Sequence, residues 1–140
     1  MRRMSTMAVM GLGLALAMGC GSSETAEPVE VVSESGAMLA TFEPEGAPRV
    51  GMHRFAAHFA PASGEHDGGG MHGGGAPVMR VEPWMPAHGH GSPSPVTITP
   101  LGGPDFEMEV HFSMSGYWEL TVYLTTGHGD EVFVVPVEVR

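Results

Sequence analysis

Trp84-Met85-Pro86-Ala87-His88-Gly89-His90-Gly91 places one thioether and two imidazoles within six residues. About twenty residues on, Phe112-Ser113-Met114-Ser115-Gly116-Tyr117-Trp118-Glu119-Leu120 adds another methionine just before a strand-like run. Pro86, Gly89 and Gly91 keep the first stretch out of helix and central strand, so its donors sit in a turn. Thioether sulfur favours Cu(I), and imidazole serves either oxidation state, so the combination suits copper. The competing reading is a glycine-rich hairpin with solvated histidines, because short Met/His clusters recur without metal.

The donors need a framework, and alternation supplies one. Met38 to Glu43 reads as a first strand. Gly51 to Ala60 alternates, with His53, Phe55, Ala57 and Phe59 on one face and Met52, Arg54, Ala56 and His58 on the other. The phenylalanine face belongs inside, and His53 at its start is either a ligand or a satisfied core-edge histidine. Val78 to Trp84 and Pro95 to Leu101 follow. Asp105 to Phe112 points Phe106, Met108, Val110 and Phe112 inward, which makes Met108 a packing residue. Tyr117 to Thr125 does the same with Trp118, Leu120, Val122 and Leu124, and Glu131 to Val139 closes the domain. Prolines 95, 100 and 136 suit strand ends or sheet edges. About seven short strands with turn-rich connections predict an all-β fold, an immunoglobulin-like antiparallel sandwich.

Strand parity then gathers the donors. If successive strands run alternately up and down, the first, third and fifth connections emerge at one end. Met85, His88, His90, Met114 and, from the second strand's start, His53 and Met52 are expected to converge there, bordered by Trp84 and Trp118. The opposite end receives His128 and the glycine-rich connection of residues 61–77, with His66, Met71 and His72. That connection is either an auxiliary metal scavenger or an insertion without a role.

The two motifs, W-M-P-A-H-G-H-G and F-S-M-S-G-Y-W-E-L, resemble those of the YtkA-like family, small extracytoplasmic β-sandwich modules of bacteria. The resemblance covers residues 37–140. Family members usually carry proline where Ser115 stands, which bears on the rigidity of that turn. The resemblance implies the sandwich fold and an envelope location; copper handling is an association of the family and not a defined activity.

The rest of the chain fits an exported protein. Arg2 and Arg3 precede a short apolar run from Met7 to Met18 and the chain's single cysteine, Cys20. The run is too short to span a bilayer and has the order of a secretory leader. Ala17-Met18-Gly19 before Cys20 resembles a lipoprotein cleavage site, so residues 1–19 are expected to be removed and Cys20 lipidated. The alternative is an ordinary signal peptide cleaved nearby. Gly21 leans toward the outer membrane. Residues 20–36, rich in Ser, Glu, Thr and Pro, are expected to be a solvated tether. Cleavage would leave four arginines against sixteen acids, a net charge of −12. Such a surface repels phosphates, which excludes a nucleic-acid partner, and attracts cations.

There is no phosphate-binding glycine loop, no nucleophile elbow, and no cysteine beyond Cys20. The sequence therefore predicts a non-enzymatic, lipid-anchored copper-binding module that delivers, buffers or senses copper, with a copper-receiving or copper-donating envelope protein as its expected partner. The rival is a non-metal sandwich that docks a protein partner through Tyr117 and the tryptophans.

Overall fold

A computed structural model describes residues 26–64 and 76–140. Cys20, His66, Met71 and His72 lie outside the described residues, and so does the expected leader.

The described residues form nine strands in chain order: β1 (Val29–Val32), β2 (Met38–Pro44), β3 (Gly51–Pro61), β4 (Val78–Met85), β5 (His90–Gly91), β6 (Thr97–Gly102), β7 (Asp105–Phe112), β8 (Gly116–Thr126) and β9 (Gly129–Val139). The described residues contain no helix. One sheet has the order β1-β2-β3-β7-β6 and the other β5-β4-β8-β9, with every neighbouring pair antiparallel. Without β1 and β5, the order β2-β3-β7-β6 facing β4-β8-β9 is the immunoglobulin-type arrangement. The fold is an all-β sandwich, with nine strands among the described residues where the sequence predicts about seven.

Alternation explains the core. Phe55, Ala57 and Phe59 of β3, Phe106, Met108, Val110 and Phe112 of β7, and Trp118, Leu120, Val122 and Leu124 of β8 are all buried between the sheets. Phe59 packs its ring against Phe42, Phe106 and Phe133 at centroid distances of 6.0, 5.9 and 5.3 Å, joining both sheets. The proline positions also hold: β6 and β9 are sheet edges, where a missing backbone N–H leaves no central ladder bond unmade.

The tether expectation fails from Val29 onward. Val29 and Val31 pair with Phe42 and Ala40 and share their inward face, so β1 adds apolar area to the core. Ser33 is buried and fastens the following turn. Its N–H donates to the Met38 carbonyl at 2.8 Å, and its hydroxyl accepts from the Met38 N–H at 3.1 Å. Glu34 N–H then donates to the Val132 carbonyl of β9 at 2.9 Å, linking the two sheets along that side.

Candidate functional site

The predicted convergence depends on which strand ends share an end of the sandwich. Gly51 pairs with Phe112, Trp84 with Glu119, and Gly116 with Val139, so the start of β3, the ends of β4 and β7 and the start of β8 sit at matching heights. Across the gap between sheets, the rings of Phe112 and Trp118 meet at 5.4 Å. The Met85-to-His90 turn and the Ser113-to-Ser115 turn therefore flank one end, as parity predicted.

The first turn is a compact hairpin. Met85 pairs with His90, and the Met85 carbonyl accepts from His88 N–H at 3.2 Å and Gly89 N–H at 2.9 Å. Pro86 supplies the fixed φ at the turn's start, and Gly89 takes φ +65°, a left-handed conformation that L side chains rarely adopt. His88 is exposed and His90 half-buried. Their ring centroids lie 5.9 Å apart. A centroid sits about 3.2 Å from an ion bound at about 2.0–2.1 Å to a ring nitrogen, so 5.9 Å corresponds to roughly 135° at a shared ion. His90 Nδ1–H donates to the Gly91 carbonyl at 3.0 Å. That tautomer leaves Nε2 with the lone pair a metal needs.

Trp118 forms the floor. It is fully buried, its ring meets His90 edge-on at 5.8 Å, and its indole N–H donates to the Met114 carbonyl at 3.1 Å. One side chain thus touches the imidazole turn and fastens the methionine turn. Met114 is partly buried and packs against the core's margin.

Four expected neighbours are placed differently, the first being Met52, which is 59% exposed on the outer face of β3 opposite His111. Met85 continues the inward parity of Met79 and Val81 and is 3% exposed. A Cβ on Gly116 would lie 2.8 Å from the Met85 Cε methyl, so this side chain fills the core beneath the Gly116 backbone and is not displayed. Trp84, one residue earlier, faces the outer side of its sheet and is 46% exposed, so it does not border the imidazoles. His53 meets the Phe55 ring edge-on at 5.1 Å and makes no ring contact with His88 or His90. Ring contacts from Phe55 to Phe112, and from Phe112 through Trp118, separate it from His90. Its Nε2 is buried without a hydrogen-bond partner. Burial lowers its pKa, against the opposing pull of the Gly46 backbone and the Glu45 charge.

Among the described residues, no group of three or more His, Cys, Asp or Glu side chains comes together to hold a metal ion. The arrangement at this end can offer two imidazoles, with Met114 the thioether on the neighbouring turn.

Fold and site define an immunoglobulin-type sandwich with a methionine- and histidine-bearing end. Compared with protein-family models, curated proteins and solved structures, the chain matches none.

Proposed function

We propose that this protein is a copper-binding module of the bacterial cell envelope, of the YtkA-like kind, held to a membrane through lipidated Cys20. His88 and His90 would supply nitrogen and Met114 sulfur to Cu(I), with Trp118 holding the two turns together and keeping water from beneath the site. Met85 acts through packing, and His53 lies outside the donor set. The module would exchange copper with another envelope protein and carry out no reaction of its own.

The observation that carries this reading is the His88–His90 separation of 5.9 Å, with His90 edge-on to Trp118, whose N–H fastens the Met114 turn. Two imidazoles alone would also suit zinc, but zinc draws little from a neutral thioether and favours carboxylate or thiolate partners. The test is Cu(I) affinity by competition with a chromogenic chelator. It uses the full chain with His66, Met71 and His72 replaced by alanine, which removes the donor residues of the glycine-rich stretch 61–77. His88→Ala, His90→Ala and Met114→Leu should each weaken the site at least about tenfold, roughly 1.4 kcal/mol.

A second reading rests on a different observation. Trp84 and Tyr117 are 46% and 42% exposed on the outer face of the β5-β4-β8-β9 sheet, on adjacent strands. Exposed aromatics are frequent anchors in protein interfaces. If Cu(I) binds nowhere and Trp84→Ala with Tyr117→Ala abolishes capture of an envelope protein, docking replaces metal binding as the function.

A further inference from the structure

We propose a second soft-metal site on the outer face of the other sheet, formed by Met52 of β3 and His111 of β7 and selective for Cu(I) or Ag(I). Met52 and His111 are direct cross-strand partners in the β3–β7 register. Such partners have Cβ atoms about 4.5–5.5 Å apart on one face, close enough for both side chains to reach one ion. Met52 is 59% exposed and belongs to no core cluster, so packing does not explain a thioether there.

His111 is oriented as a ligand would be. The Ser92 hydroxyl donates to the His111 carbonyl at 2.8 Å, and Ser94 Oγ lies 3.3 Å from His111 Nδ1. The loop leaving β5 therefore holds the His111 backbone and one ring nitrogen, and with Nδ1–H donating to Ser94 Oγ the lone pair left for an ion is on Nε2. A second partner that fixes one nitrogen and frees the other is how metal-binding histidines are held.

The surroundings select for a soft ion. The nearest carboxylates are already engaged: Arg54, beside Met52 on β3, bonds Glu109 at 2.7 Å and pairs with Glu107 at 3.4 Å and Glu45 at 3.7 Å. A hard cation would thus compete with a guanidinium for the nearby oxygen donors, while sulfur and nitrogen have no such competitor. A two-donor site suits d10 ions that accept low coordination numbers, and thioether selects the monovalent form.

This site takes the same class of metal as the imidazole turn but stands on separate residues, so the two can be tested apart. The full chain, with methionine methyls labelled in carbon-13, is titrated with Ag(I), which is redox-inert. The Met52 methyl and the His111 ring resonances should shift together with one apparent affinity. His111→Ala should weaken the Met52 response at least tenfold while the Met114 methyl still responds. A Met52 methyl that stays put, or that moves equally in His111→Ala, overturns the second site. If Met52 responds and Met114 does not, the second site stands and the imidazole-turn site fails.

Discussion

The indole N–H of Trp118 donates to the Met114 carbonyl oxygen across 3.1 Å, tying a fully buried ring to the turn that precedes its own strand. The same ring lies edge-on to His90 at 5.8 Å, so the two turns share one support. Removing the ring removes core volume as well. Trp118→Ala should cost about 3–5 kcal/mol, a large part of the about 5–15 kcal/mol a small domain holds. Trp118→Phe keeps most of the volume and loses the donor, so it should cost less and loosen Met114 selectively. Chemical denaturation with methyl relaxation at Met114 checks both. A Trp118→Ala variant that melts within a few degrees of the parent would contradict the burial.

Gly116 and Met85 should prove energetically coupled. Gly116 has φ +125°, and a Cβ there would lie 2.8 Å from the Met85 methyl. Gly116→Ala should destabilise the domain by about 1–3 kcal/mol through backbone strain and this clash. Met85→Ala alone opens a cavity at about 2–5 kcal/mol. Together the two should cost less than their sum by at least about 0.5 kcal/mol, because the clash disappears. Strict additivity in urea melts would contradict the contact.

His53 sets a pH dependence. Burial holds its pKa below the ordinary 6.5, so the folded protein binds fewer protons at this site than the unfolded chain. Its contribution is complete above about pH 6.5 and is lost as pH falls through the lowered folded value. His53→Phe also removes a buried, unpartnered Nε2. The metal-free variant should equal or exceed the parent in stability at pH 7.5, and its advantage should grow toward pH 5. Parallel stability curves over that range would contradict the assignment.

The anchor is checked by fractionation. Cells expressing the full chain should carry it in the detergent-extracted membrane fraction, and Cys20→Ser should release it to the soluble fraction. A parent protein found wholly soluble would remove the lipid anchor from the account.

Most of the sandwich was legible because its strands are amphipathic with a clean period of two. Phe106 to Phe112 and Trp118 to Leu124 could be assigned a buried face residue by residue. β1 was missed because Val29-Glu30-Val31-Val32 is short and set among Ser, Glu and Pro. The Val-x-Val alternation was its only local signal, and partner strand β2 is what makes the segment a strand. Parity carried one residue beyond Trp84 would have turned Met85 inward and Trp84 outward, the reverse of a ligand and its shield. The Met52–His111 pair was invisible because register, which no single strand encodes, sets those two residues opposite each other.

The central claim, that both imidazoles and one thioether share a copper ion, is tested most directly by X-ray absorption on Cu(I)-loaded protein. The full chain with His66, Met71 and His72 replaced by alanine would be loaded with less than one equivalent, so that only the tightest site fills. The spectrum should show two nitrogens near about 2.0 Å and one sulfur near about 2.3 Å, with the sulfur shell lost in Met114→Leu and the nitrogen shell halved in His90→Ala. A copper environment without sulfur, or one unchanged by Met114→Leu, would contradict it.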